Sequence, residues 1–215
     1  MKTVLVFGAT GKTGRQVVSQ ALSRGWRVRA FVRDAAKLAL SHERLEIAVG
    51  DMGDRASIDR ALAAPVDAVV SALGVYSKEP TTVLSDGTRH IVAAMRAAGP
   101  RRIVVVSSLG AGDSSGQGSF MVRMIQRFIL KQVLIDKTRQ EQVLAESGLE
   151  WTSLRPPQLT DADRVRDDLV SWSGPTQPRQ RLTWKVSRAS VARYALEAIE
   201  RQQWIGKAVC LSEPG

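Results

Sequence analysis

Short runs of β-branched and aliphatic residues alternate along this chain with longer stretches in which apolar positions recur every three or four residues. Thr3–Phe7, Arg27–Val32, Leu45–Val49, Ala68–Ser71, Ile103–Ser107, Trp151–Leu154 and Val209–Leu211 read as strands. Ala68-Val69-Val70 and Ile103-Val104-Val105-Val106 are apolar without alternation, which suits strands covered on both faces of a parallel sheet. Thr13–Arg24, Arg55–Ala63, Thr81–Ala98, Phe120–Ser147 and Arg188–Arg201 read as helices, and Gly99-Pro100 stops the third of them. Strand–helix alternation at this spacing predicts an α/β fold: a Rossmann-type, doubly wound, mainly parallel sheet of about six to seven strands with helices on both faces. One domain is expected over residues 1–215.

Two stretches break the rhythm. Asp161–Lys185 is rich in Asp, Arg, Pro and Gln and reads as a long loop, although Trp172 and Trp184 favour something packed. Late insertions in such folds tend to cover the carboxyl ends of the strands, so a small substrate-side segment is expected at about residues 155–187; a plain surface excursion stays open. Phe120–Ile135 is apolar except for Arg123, Arg127 and Lys131, which stand four apart and form one polar stripe on a helix. The stripe argues against a membrane span. Packing on the chain's own core or on a second subunit, a homodimer through 120–135, is expected ahead of lying on a membrane.

The first strand runs into Gly8-Ala9-Thr10-Gly11-Lys12-Thr13-Gly14, followed by a helix. Glycines at this spacing let the backbone turn tightly and approach a pyrophosphate, whose charge then rests on the helix amino terminus. The strand–loop–helix context makes the pattern a dinucleotide fingerprint. About twenty residues further on, the second strand ends in Phe31-Val32-Arg33-Asp34. Arg33, with Lys37 one turn on, would pair with a 2′-phosphate, so NADP(H) is expected over NAD(H). The competing reading leaves Arg33 in solvent and gives the ribose hydroxyls to Asp34.

Gly8–Gly14, Val32-Arg33-Asp34, Gly50-Asp51-Met52, Ser71-Ala72-Leu73-Gly74, Ser147-Gly148-Leu149 and Arg155-Pro156 together resemble the atypical short-chain dehydrogenase/reductase superfamily. Pro80–Met95 is more narrowly similar to the NAD(P)H-binding group that contains NADPH-dependent flavin/biliverdin-IXβ reductase and NmrA-like proteins. The resemblance implies that Gly8, Thr10, Gly11, Lys12 and Thr13 surround the pyrophosphate, with Gly14 permitting helix packing. It implies that Arg33 and Lys37 hold the 2′-phosphate, that Asp51 and Met52 flank the adenine, and that Leu73, Gly74 and Ser107 line the cofactor. Ser107 and Ser108, ending the fifth strand, could hydrogen-bond a nicotinamide or a substrate carbonyl; Ser is also a common strand terminator.

The Tyr-x-x-x-Lys motif of the main dehydrogenase branch is broken. Lys137 stands at the lysine position, a candidate contact to the nicotinamide ribose, but Val133 occupies the place of the tyrosine acid. The resemblance to the flavin/biliverdin reductase group implies a Pro-Pro-His near the nicotinamide, but this chain reads Pro156-Pro157-Gln158 there, and Gln158 hydrogen-bonds without supplying a proton at neutral pH. Ser108, Lys137 and Gln158 are therefore the candidate catalytic residues, with Pro156 beside the cofactor. Reduction of a free flavin or quinone needs little more than stacking, so a flat small-molecule acceptor is expected. A non-catalytic NADP(H)-binding sensor of NmrA-like type is the alternative.

Composition trims the remaining classes. The 215 residues carry a formal charge of +10, which invites anionic partners, but no basic arm or nucleic-acid module accompanies it and no nucleic-acid partner is expected. The single Cys210 cannot make a cysteine-based metal site, and two histidines, His42 and His90, leave little material for a His-rich metal site or a Ser–His–Asp triad. The single cysteine and the absence of a leader before Val4 point to the cytoplasm.

Overall fold

The computed structural model describes residues 1–215. All seven expected strands form: β1 (Thr3–Phe7), β2 (Arg27–Val32), β3 (Leu45–Val49), β4 (Ala68–Ser71), β5 (Arg102–Val106), β6 (Glu150–Arg155) and, last in the chain, β10 (Lys207–Ser212). Three further strands were not legible: β7 (Gln158–Thr160), β8 (Val170–Ser173) and β9 (Lys185–Ser187). The main sheet has eight strands, not six or seven, in the order β3-β2-β1-β4-β5-β6-β10-β8. Every pairing in it is parallel except the last, where β8 lies antiparallel on β10. The expected long loop 161–185 is thereby corrected. It holds β8 and leads into β9, which pairs with β7 in a two-stranded ribbon.

The helices are α1 (Lys12–Ser23), α2 (Arg55–Leu62), α3 (Val83–Ala98), α4 (Phe120–Phe128), α5 (Lys131–Ala145) and α6 (Arg188–Glu200). One core lies between the sheet and α1 with α6, built on Val4, Val6, Val17, Ala21, Val191 and Ala195; the other lies under α2, α3 and α5, built on Leu5, Phe7, Ile58, Ile91, Met95 and Leu144. Alternate residues of β1 enter opposite cores, the pattern of a strand buried on both sides. Cys210 is buried in β10, and burial pushes its thiol up to about 11, so it is an inert packing group.

The helix expected over Phe120–Ser147 is two helices, because each half is held by different partners. Gln126, the one buried residue of α4, donates to the carbonyls of Leu109 and Gln117. Asp136 of α5 accepts from the backbone amides of Leu84 and Ser85, at 2.8 and 3.1 Å, and so caps α3, whose own Thr82 provides no side-chain cap. Gln140 donates to Thr88 one turn on. The expectation that the apolar face of 120–135 packs on the chain's own core is overturned in α4: Phe120, Met121, Met124, Ile125 and Phe128 face solvent.

The sheet order changes direction between β1 and β4, with α1 covering one face after β1 and α3 the other after β4. The carboxyl ends of these strands open on the crevice where ligands of doubly wound folds bind.

Candidate dinucleotide site

At the head of the crevice the backbone itself is the scaffold. Gly8 turns with φ +74°, and a Cβ there would stand 2.7 Å from the Ala72 carbonyl oxygen. A Cβ on Gly14 would meet the Gly8 carbonyl oxygen at 2.1 Å, so only glycine lets α1 start against the loop. Gly11 is the N-cap of α1 and offers no capping side chain. The first amides of a twelve-residue helix are thus left for an external acceptor. Thr13 is buried under them and Thr10 is half-buried at the rim.

At the end of β2, Asp34 accepts from the amide of Ala36 at 3.0 Å and caps a short 3-10 turn. Its carboxylate is committed locally. Arg33 is exposed and has no acidic partner, while Lys37 stands 4.0 Å from Asp34 with its ammonium in solvent. Arg15, which the pattern reading passed over, joins the two loops: it donates to Thr10 O at 3.0 Å and to Lys37 O at 2.7 Å. Its position directly after the third glycine was the available signal.

Lys12 leans away from the glycine loop. It pairs at 2.5 Å with Asp161, which also holds Arg188 at the start of α6. The Lys12 hydrogen bond holds the Asp161 carboxyl below its ordinary range. These three residues line a cavity of about 270 Å³ beside Arg15 and Gln16.

Further along the edge, Asp51 accepts from Gly53 N at 2.8 Å, and the Met52 side chain lies beside Gly87 of α3 and Leu73. His90 is satisfied by the Met52 carbonyl at 2.8 Å. Gly74 stands in open space after β4. Beyond β5, Ser107 is buried and its hydroxyl has no partner, whereas Ser108 is half-buried and donates to Leu109 O. Lys137 reaches the same point from α5, donating to Val106 O at 3.1 Å. Burial pulls its ammonium down to about 8, against the opposing charges of Glu141 and Asp136. Val133, one turn earlier, is buried.

Pro156 is buried and its carbonyl accepts from Leu109 N at 2.9 Å, which ties the ends of β5 and β6 together. Gln158 begins β7 with an exposed side chain that makes no hydrogen bond. The structure therefore gathers Gly8–Gly14, Leu73, Ser107, Lys137 and Pro156 along the carboxyl edge of the sheet, with Arg33 and Lys37 following β2. Gln158 lies apart from these, in the β7–β9 ribbon, where its backbone amide donates to Trp184 O at 3.3 Å.

Behind Pro156, Arg155 is buried between Glu141 and Asp113. It donates to both Glu141 oxygens, at 3.0 and 2.6 Å, and to Asp113, while Ser153 donates to Glu141 at 2.8 Å. Burial disfavours the guanidinium charge, and the two carboxylates more than restore it. This network was not legible, since its members are spread over residues 113–155.

Residues 8–202 match the model of a family described as NAD(P)H-binding. The chain belongs to the NAD(P)H-binding family. It is 29% identical to an uncharacterized chloroplastic protein of Arabidopsis thaliana, over 97% of this chain and 75% of that one. It is 31% identical to a (4-alkanoyl-5-oxo-2,5-dihydrofuran-3-yl)methyl phosphate reductase of Streptomyces griseus, over 71% of this chain and 46% of the reductase. Among solved structures, the anaerobillin reductase ChuY of Escherichia coli O157:H7 superposes with a TM-score of 0.82 at 25% identity, covering 99% of this chain and 97% of that one. A short-chain dehydrogenase/reductase of Veillonella parvula in complex with NADP superposes at 0.80 with 18% identity, covering 100% and 95%.

Proposed function

We propose that this protein is an NADPH-dependent reductase that delivers reducing equivalents to a flat, electron-accepting small molecule such as a flavin or quinone, without a tyrosine acid. One observation carries this reading. At the end of β5, a buried lysine and a buried, unpartnered serine hydroxyl flank a position where Val133 removes the usual proton donor.

The residues present fit a dinucleotide. The Gly8–Gly14 backbone and the uncapped start of α1 would hold its pyrophosphate, with Thr10 and Thr13 at the rim. Arg33 and Lys37 would pair with a 2′-phosphate, on a loop positioned by Arg15. Asp51 and Met52 would flank the adenine, and Leu73, Gly74 and Pro156 would line the ring. Lys137 would donate to ribose hydroxyls and Ser107 to the carboxamide, giving the lone hydroxyl the partner it lacks. When bound, NADPH supplies a hydride. The chain's part is to hold the acceptor against it and exclude competing water, while the accompanying proton comes from solvent. Ser108 is placed to hydrogen-bond the acceptor; the exposed Gln158 would do so from across the crevice.

Purified protein given NADPH should oxidise it faster in the presence of flavin or quinone than without. No turnover across a panel of both acceptors, with NADPH binding intact, would favour the second reading, an NADP(H) sensor, to which Val133 also lends weight. Tighter binding of NADH than NADPH would overturn the assignment of Arg33.

A further inference from the structure

α4 is short, and its apolar residues point the wrong way for a core. Phe120, Met124 and Phe128 form one row along the helix and Met121, Ile125 and Ile129 the adjacent row. Phe120, Met121 and Phe128 are 70%, 67% and 68% exposed, while the row that faces the protein is Val122, half-buried beside Gly118, and Gln126, the one fully buried residue. The burial order of an ordinary surface helix is thus inverted. Ser119 caps its amino terminus, and Gln126 anchors the far side to the Leu109 and Gln117 carbonyls. The exposed face is held in place.

The charge along this segment has one sign. Arg123 and Arg127 run along its flank, Lys131 follows at the start of α5, and no Asp or Glu occurs between Ser114 and Ile135. The acid that follows, Asp136, is buried on the amides of α3. A second copy of the chain would bring these cations towards cations of the same sign. One nine-residue helix also offers less than the roughly 800 Å² per partner of an ordinary stable interface. Phe and Met beside arginines on a short amphipathic helix match an anionic lipid surface, where aromatic rings enter the interface and the guanidinium groups pair with headgroups.

We propose that the exposed face of α4 docks this protein on anionic membrane surfaces. The helix lies on the surface and does not cross it, in keeping with the lack of any helix long and apolar enough to span a bilayer. Because α4 rests on the loop that follows Ser107 and Ser108, docking brings the carboxyl edge of β5 towards the lipid. The docking itself does not depend on the cofactor or on turnover.

Cosedimentation of the full chain with phosphatidylglycerol-containing and pure phosphatidylcholine vesicles tests this directly. The wild type should bind the anionic vesicles at least tenfold more tightly, with binding weakened by salt. A Phe120→Gln/Phe128→Gln variant should lose at least tenfold, and an Arg123→Gln/Arg127→Gln variant roughly twentyfold. Both should keep the wild-type melting temperature and NADPH affinity. Failure of the wild type to bind anionic vesicles would overturn the proposal, as would variants that bind like the wild type. Sedimentation velocity supplies the other decisive outcome: a dimer that Phe120→Gln/Phe128→Gln dissociates would assign the face to self-association instead.

Discussion

Two arginines stand at equivalent places in this fold, one just past the end of β2 and the other at the end of β6, and they are treated in opposite ways. Arg33 is exposed and has no acidic partner, and its neighbour Asp34 is turned away to cap its own loop. Arg155 is buried and takes both oxygens of Glu141 as well as Asp113. Where the chain supplies the counter-charge, the cation fastens strand to helix. Where it withholds it, the cation is free to meet an anion from outside. Lys137 stands between these extremes, buried like Arg155 yet hydrogen-bonded only to a carbonyl.

Substitutions should separate the structural cation from those proposed to meet the cofactor. Arg155→Met leaves Glu141 buried without its partner and should cost about 3–5 kcal/mol in denaturant unfolding; a loss below 1 kcal/mol would mean that the network contributes little to the fold. Lys137→Met should act in the other direction. The folded-state ammonium titrates at about 8 against an ordinary 10.5, so the unfolded chain holds more protons between those values. Stability should therefore rise with pH across that window, and the cost of keeping the lysine charged is fully present below it. Removing the charge should stabilise the cofactor-free protein at pH 7 by on the order of 2 kcal/mol and flatten that slope, while weakening NADPH binding. A retained slope would place its origin elsewhere.

Arg33→Ala should leave the melting temperature unchanged and reduce NADPH affinity about tenfold, about 1.4 kcal/mol, with NADH affinity unaltered. Equal losses for both dinucleotides, measured by fluorescence titration, would remove the 2′-phosphate role. The smallest effect is expected at Asp136→Asn, which weakens a two-pronged cap on α3 and should cost about 1 kcal/mol, read from hydrogen exchange in the first turn of that helix.

What could be read in the chain was local. Gly8–Gly14 fits in one loop, and the reasons for its glycines lie within that loop and the strand beside it. The central strands β1, β4 and β5 were legible because burial on both faces leaves nearly uninterrupted apolar runs. β8 escaped because Val170-Ser171-Trp172-Ser173 is a short edge strand whose partner, β10, begins at Lys207. Trp172 and Trp184 do pack together, edge to face at 6.2 Å, yet their pairing says nothing of a strand. The Lys12–Asp161 pair spans 149 positions and left no local mark.

The sequence by itself determined the α/β alternation and the glycine turn after β1, because each depends on side-chain volume or backbone freedom at neighbouring positions. It also showed that 120–135 was two-sided. Only the tertiary structure decided which side faces out, since amphipathicity gives a helix two faces and the partners of Gln126 choose between them. The same holds for the charges. The sign of Arg33, Lys137 and Arg155 is written in the chain, but whether each is solvated, desolvated or paired depends on carboxylates and carbonyls that folding brings from elsewhere.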